Sequence, residues 1–266
     1  MEWLQLILLA LIQGITEFLP ISSSAHLALP ALLTDWQDQG LAFDIAVHLG
    51  TLTAVIVYFR RDIGDFATGS LRLITRGTRD DSTDLLLKLI VATVPVAVMG
   101  FLLKGWVENQ LRSVLVIALA TIAFALVLWW ADGRRGSTDK VSWLHALVIG
   151  AAQVLALIPG TSRSGITITA ALLMGLSRTS AARFSFMLSM PTILGAAVLT
   201  TAELLAAEDD SRWGEMLVGG GLAALSAFAC IHVFIALVER TGMLPYVLYR
   251  LLLGLVLILL LLGGMA

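Results

Sequence analysis

Few residues in this chain can do acid–base or anion chemistry, and most of those gather in two short stretches. The first, Gln13–His26, reads QGITEFLPISSSAH and carries Gln13, Glu17, Ser22, Ser23, Ser24 and His26. The second, Pro159–Gly165, reads PGTSRSG and carries Thr161, Ser162, Arg163 and Ser164. Gln13 and Glu17 stand at i, i+4, so a helix puts both on one face. His26 follows the serines by about one helical turn and can reach back toward them. Arg163 offers a planar fork of donors suited to phosphate oxygens. Serines, a histidine, a carboxylate and an arginine around one anion form a hydrolase set: a nucleophile or water-orienting hydroxyl, a general acid or base, and a charge clamp. A carboxylate beside a phosphate repels it, and a bridging divalent cation resolves this, with Glu17 and Gln13 supplying hard oxygen donors.

Each assignment has a plainer rival. For Glu17 and Arg163 the lesser alternative is a structural ion pair that fixes the interface between two segments. Serines in apolar helices commonly bond back to their own backbone or let helices approach closely. A proline followed by three serines, matched by a second proline followed by Gly-Thr-Ser-Arg-Ser, is harder to explain as packing. His48, beside Asp44, reads first as a satisfied polar pair, His145 as an interfacial residue and His232 as helix packing. Arg250, with Tyr246 and Tyr249 nearby, reads as a snorkelling or interface residue with a second-rank claim on the site. The mixed-charge stretch from Asp62 to Asp84 reads as a solvated loop.

These few polar groups stand in a chain of 266 residues that is 58% hydrophobic and 14% charged, with a mean hydropathy of +0.92. A soluble domain carries roughly 25% charged residues, so most of this surface is not built for water. The composition excludes a disordered chain, a nucleic-acid binder and an ordinary soluble enzyme, and indicates a single polytopic membrane domain over 1–266. Cys230 is the only cysteine, which rules out a disulfide or a Cys-based metal site within one chain. The first residues lack a basic n-region and a small-residue cleavage site, so they are not expected to be a signal peptide. A carboxylate or a guanidinium near the bilayer centre costs about 2.5–3.5 kcal/mol on insertion scales, which marks Glu17 and Arg163 as functional candidates.

A spanning helix needs about 20 predominantly apolar residues. Leu85–Lys104, Leu111–Ala131, Met216–Val238 and Leu244–Leu262 qualify outright; Phe43–Phe59 and Phe184–Leu204 qualify with polar exceptions. The fold class is thus all-α, with about six transmembrane helices. Two further apolar segments, Trp3–Leu33 and Trp143–Leu176, are interrupted at the two chemistry-bearing stretches. Broken helix at membrane depth is tolerated only where it is buried in protein or lines a wet cavity. Pro20 should end one half-helix, and Ser22–Ser24 should cap the next through Leu33; Thr161, Ser162 and Ser164 should cap a helix running to Gly175.

The interruptions recur in the same order. Pro20 falls on Pro159, and FDIAVHLGTLTAVIVY from Phe43 falls on FSFMLSMPTILGAAVL from Phe184. This indicates a duplication, with repeat units of about 1–132 and 143–266. If each broken segment is re-entrant, each unit crosses an odd number of times, and the units run in opposite directions as an inverted repeat. Lys and Arg number six in 60–88 and three in 132–145, and Arg240 joins them on the same side; Lys104, Arg112 and Arg212 lie on the other. The excess on the first side places both termini outside. All seven tryptophans sit at segment ends, where interfacial anchors belong. Two half-helix N-termini would then meet near the midplane and form an anion site.

Both stretches resemble the two signature motifs of the bacterial undecaprenyl-diphosphate phosphatase family of the bacitracin-resistance type. The resemblance covers the whole chain, including FDIAVHLGTLTAV and RFSFMLSMP. It implies an enzyme of the bacterial cytoplasmic (inner) membrane that hydrolyses the terminal phosphate of undecaprenyl diphosphate. Such an enzyme recycles the carrier lipid of cell-wall synthesis, confers bacitracin resistance, depends on Mg²⁺ or Ca²⁺, and opens its site to the outer, periplasmic face. The family's (Glu/Gln)-x-x-x-Glu pair falls on Gln13 and Glu17, its serine pair on Ser22 and Ser23, its histidine on His26 and its Ser-Arg-Ser on Ser162, Arg163 and Ser164. Gln13 is the amide form of a position that is often Glu, and Arg183 stands where the family pattern carries an acid.

On this reading Glu17, Ser23, His26 and Arg163 are catalytic. Ser22, Ser24, Thr161, Ser162, Arg163 and Ser164 bind phosphate, and Glu17 with Gln13 holds the metal. Either Ser23 attacks phosphorus with His26 as its general base, or a water held by Glu17 or His26 attacks; both stay open. The expected partners are an isoprenoid diphosphate lipid and the bilayer, with no nucleic acid, and a homodimer stays open as the assembly. The rival reading is a lipid translocator or transporter that uses the same inverted-repeat site.

Overall fold

The computed structural model of the chain describes residues 2–34, 36, 40–134, 136–206 and 213–264. The first half runs through α1 (Trp3–Phe18), α2 (Ser23–Leu33), α3 (Leu41–Tyr58), α4 (Arg60–Arg76), α5 (Asp81–Gln110) and α6 (Val114–Asp132). The second runs through α7 (Trp143–Gln153), a 3₁₀ turn at Val154–Leu157, α8 (Arg163–Leu173), α9 (Arg178–Ala206), α10 (Trp213–Thr241) and α11 (Leu244–Leu262). Outside the helices the described residues hold one isolated bridge, Thr138 to Leu176.

Six helices, α3, α5, α6, α9, α10 and α11, are long and apolar enough to cross a membrane. They coincide with the six apolar runs of the sequence, and large apolar side chains such as Phe101, Val198, Leu225 and Leu252 stand exposed on their outer faces. With lipid as solvent such faces need no cover, and the chain is a multi-pass membrane protein. The halves pack crosswise: α1 and α3 lie on α10, α7 and α9 lie on α5, and α6 lies on α11. The crossings are close. A Cβ on Gly14 of α1 would come to 2.5 Å from the Ala223 carbonyl of α10, and one on Gly150 of α7 to 2.6 Å from the Ala92 carbonyl of α5.

The segments interrupted in sequence are broken in structure. α1 ends at Phe18 ahead of Pro20, and α2 starts at Ser23; α7 and its 3₁₀ turn end ahead of Pro159, and α8 starts at Arg163. The N-cap serines, Ser22 and Ser162, have φ of 73° and 69° and are the only described non-glycine residues with positive φ. Such a conformation costs on the order of 1–3 kcal/mol per residue and persists only where surrounding structure imposes it. Ser162 caps as expected, its Oγ accepting from Gly165 N at 3.1 Å, whereas Ser22 makes no side-chain cap bond.

The stretch read as a solvated loop departs from expectation, because α4 occupies it. Apolar residues at helical spacing turn Phe66 inward, while Leu71 and Ile74 remain exposed beside the arginines of the same helix. Asp80 then caps α5, its carboxylate accepting from Thr83 N at 2.9 Å and from the Ser82 and Thr83 hydroxyls at 2.7 Å each. The Thr83 N–H, joined by those hydroxyls, holds the Asp80 carboxyl down at about 2. Lys88, counted with that loop, is buried in α5, paired with Asp84 and donating to the Val141 carbonyl at 2.7 Å.

Candidate functional site

The two breaks face a common cavity of about 460 Å³. Its polar lining is Glu17 from the end of α1, Ser22, Ser23 and Ser24 from the first break, Asp44 and His48 from α3, Ser162 and Arg163 from the second break, and Thr192 and Thr200 from α9. The rest is apolar: Val96 of α5, Leu157 and Ile158 beside the 3₁₀ turn, and Ile193 and Ala197 of α9. Two carboxylates, four serines, an imidazole and a guanidinium thus meet in a space whose remaining lining is largely hydrocarbon.

Arg163 Nη2 donates to Glu17 Oε1 at 2.8 Å, and its Nη1 donates to the Ser185 carbonyl at 3.3 Å. The other carboxylate oxygen, Oε2, accepts from Gln13 Nε2 at 2.9 Å and from Ser23 Oγ at 3.2 Å, with His48 Nε2 at 3.9 Å. Both members of the ion pair are mostly withdrawn from solvent, with side-chain exposures of 12% for Arg163 and 9% for Glu17. The i, i+4 pairing of Gln13 with Glu17 is as the helix spacing indicated.

The breaks also stitch to each other. Ser22 and Ser24 share a hydrogen bond at 3.1 Å, and Ser162 and Ser164 share one at 3.2 Å. Gly160 N donates to Ser24 Oγ at 3.2 Å, and Ser164 Oγ donates to the Leu19 carbonyl at 2.9 Å. Each break thereby satisfies a backbone group that the other leaves without a helical partner. Thr161 and Ser164, expected among the phosphate binders, are fully buried behind the cavity and do not line it; Ser22, Ser24, Ser162 and Arg163 do. Gln13 is likewise buried, and its Oε1 has no hydrogen-bond partner.

His26 is not brought to Ser23. Its Nδ1 lies 2.7 Å from the Ser22 carbonyl, which can only accept, so that nitrogen carries the proton. In the neutral ring Nε2 then accepts from the Tyr249 hydroxyl at 2.6 Å, and the two rings stack with centroids 5.4 Å apart. The imidazole faces a separate, largely apolar cavity of about 450 Å³ that Leu19, Ile21, Tyr246 and Tyr249 help to line. One turn of α2 carries His26 back to the N-cap carbonyl rather than to the serine hydroxyls, which corrects the expected general-base geometry.

Two residues given minor parts by the sequence prove central. His48 donates from Nδ1 to the Asp44 carbonyl at 2.7 Å and presents Nε2 toward Glu17. Arg250 does not snorkel; it is fully buried and donates to the carbonyls of Thr121, Pro20, Gly160 and Thr161 at 3.0–3.4 Å. Its signal in the sequence was that it is the one charged residue in the last apolar run. Arg183 pairs with Asp62 at 2.9 Å and lies over the Phe59 ring, lining a different cavity. Among the described residues no three His, Cys, Asp or Glu side chains gather as a ready-made metal cluster.

The chain matches, over residues 6–256, the family described as bacitracin resistance protein BacA. It is 52% identical over 256 residues to an undecaprenyl-diphosphatase of Hahella chejuensis, covering 96% of each chain. It is 52% identical over 269 residues to undecaprenyl-diphosphatase 2 of Stutzerimonas stutzeri, covering 99% of this chain and 100% of that one. With an undecaprenyl-diphosphatase of Saccharophagus degradans it shares 54% identity over 257 residues, 96% of each.

Proposed function

The chain belongs to the BacA family of bacitracin resistance proteins, and from that premise we infer that it is an undecaprenyl-diphosphatase. It is a membrane hydrolase that converts undecaprenyl diphosphate to undecaprenyl phosphate and phosphate, renewing the carrier lipid of cell-wall synthesis and conferring bacitracin resistance. The observation that carries the reading is the meeting of Glu17, Ser23 and Arg163 in one cavity of a chain that matches named undecaprenyl-diphosphatases end to end.

In the proposed mechanism the diphosphate enters between the starts of α2 and α8, where free backbone N–H groups and positive helix ends favour an anion. Arg163 takes the phosphate oxygens in its fork, and Ser22, Ser24 and Ser162 add hydrogen bonds. As the guanidinium turns to the phosphates, Glu17 is released from its ion pair. Ser23 Oγ then attacks the terminal phosphorus, its proton passes to Glu17 Oε2, and the bridging P–O bond breaks to release the lipid monophosphate. Water hydrolyses the phosphoserine and restores Ser23. The 3.2 Å contact from Ser23 to Glu17 supports this proton path, and His26 is assigned to hold the Ser22 carbonyl instead. Positioning and charge neutralisation supply most of the acceleration.

A divalent cation, Mg²⁺ or Ca²⁺, fits the donor set, because the buried Gln13 Oε1 lacks a partner beside the Glu17 carboxylate. Glu17 and Gln13 would hold it through their side-chain oxygens. When bound, it offsets negative charge on the phosphate oxygens.

The halves are proposed to run in opposite directions through the inner membrane, with both termini and the cavity mouth periplasmic. The matching φ of Ser22 and Ser162, the crosswise packing and the distribution of basic residues support this arrangement. The deciding experiment measures phosphate release from undecaprenyl diphosphate by detergent-solubilised protein, with and without EDTA, for wild type and Glu17→Ala. Release that needs no membrane gradient and is lost in Glu17→Ala is expected; no release from wild type would leave the translocator reading in its place.

A further inference from the structure

We propose that Arg250 is a positioning residue of the phosphate site, locking the two breaks in register and lending them an uncancelled positive charge; this rests on the diphosphatase reading. Its guanidinium is buried in α11 and spends its donors on backbone. Nε reaches the Thr121 carbonyl at 3.2 Å, Nη1 the Pro20 carbonyl at 3.4 Å, and Nη2 the Gly160 and Thr161 carbonyls at 3.0 Å each. Pro20 and Gly160–Thr161 belong to the two breaks and are buried, so their carbonyls lose helical partners in the protein interior. One planar fork therefore satisfies both breaks at once and sets the distance between Ser22–Ser24 and Ser162–Arg163. An ammonium, a point charge with three donors, cannot hold carbonyls from three elements at those angles.

The charge is the second part. A buried cation is ordinarily paired. Every polar partner of Arg250 among the described residues is a carbonyl dipole, and none of the ion pairs formed by those residues includes it. Glu17 and Arg163 offset each other at the cavity, whereas Arg250, bonded to the Pro20, Gly160 and Thr161 carbonyls, brings to the breaks a positive charge held by dipoles alone. Room for it is kept by Gly165 in the first turn of α8: a Cβ there would come to 2.8 Å from Arg250 Nη1.

The test compares Arg250→Lys, Arg250→Gln and Gly165→Ala with wild type, as monodisperse detergent-purified protein. It reads kcat and KM for undecaprenyl diphosphate and, separately, binding of a labelled isoprenoid diphosphate. Arg250→Lys keeps charge without the fork, so kcat should fall about 10-fold or more with KM little changed, and Gly165→Ala should follow it. Arg250→Gln loses the charge as well, so binding should also weaken about 10-fold. Wild-type kcat and binding in folded Arg250→Gln would overturn the proposal, as would equal losses in the Lys and Gln variants that track thermal stability alone. Should Arg250→Gln fail to fold, wild-type kcat in both Arg250→Lys and Gly165→Ala would overturn it. If wild type releases no phosphate the diphosphatase reading fails, and the binding comparison still decides the part of Arg250.

Discussion

Arg163, at the start of α8, donates to Glu17, near the end of α1, across 2.8 Å. The pair ties one break to the other, and the same two groups front the cavity. In the proposed mechanism a structural ion pair and a catalytic pair are one arrangement at two stages: closed on itself at rest, and opened when a diphosphate competes for the fork. At this depth, removing one member strands the other charge, at a cost of about 3–5 kcal/mol.

Arg163→Lys should keep the charge and lose the bidentate grip, with kcat/KM for undecaprenyl diphosphate falling about 100-fold. Steady-state phosphate release on a folded variant checks this, and near-normal rates would remove Arg163 from the clamp.

Ser23 donates to Glu17, whereas Ser22 faces Ser24. Ser23→Ala should abolish turnover, and Ser22→Ala should lower it about 10-fold at most, the loss of one phosphate hydrogen bond. Appreciable residual hydrolysis by Ser23→Ala would favour attack by water.

His26 and Tyr249 act through one hydrogen bond, 2.6 Å long. His26→Ala and Tyr249→Phe should each lower stability by about 1 kcal/mol, with a double mutant no worse than His26→Ala alone. A His26 variant that kills catalysis at unchanged stability, beside a fully active Tyr249→Phe, would return the histidine to the role of general base.

Chelation should silence the enzyme, and Mg²⁺ or Ca²⁺ should restore it. Gln13→Glu adds a second carboxylate to the donor set and should lower the Mg²⁺ concentration for half-maximal activity by about 10-fold. An unchanged metal requirement would take Gln13 out of the shell.

Asp80, at the start of α5, has its carboxyl held at about 2 by the Thr83 N–H and neighbouring hydroxyls. A lowered folded-state value means that the cap contributes in full above the ordinary carboxylate range and is lost as pH falls toward 2. Thermal unfolding in detergent should therefore show Asp80→Ala melting below wild type at pH 7, with the gap closing in acid. A constant gap would show that the carboxylate charge is irrelevant to the cap.

Much of this was legible in the chain. The six spans follow from apolar length, and the two breaks from Pro20 and Pro159 with the serines after them, because these are local demands of a backbone in lipid. α4 was missed because its many charges read as a solvated stretch, although its apolar residues stand at helical spacing and Phe66 turns inward.

Alone, then, the sequence determined the membrane class, the breaks and the candidate residues gathered at them. Only the tertiary structure decided where those residues point. His26 turns to Tyr249, 223 residues away, while His48 faces Glu17; Arg250 reaches Pro20 across 230 residues. The reason is electrostatic. In a low-dielectric interior a polar side chain turns to the nearest unsatisfied carbonyl or opposite charge, and helices remote in sequence set where that partner lies.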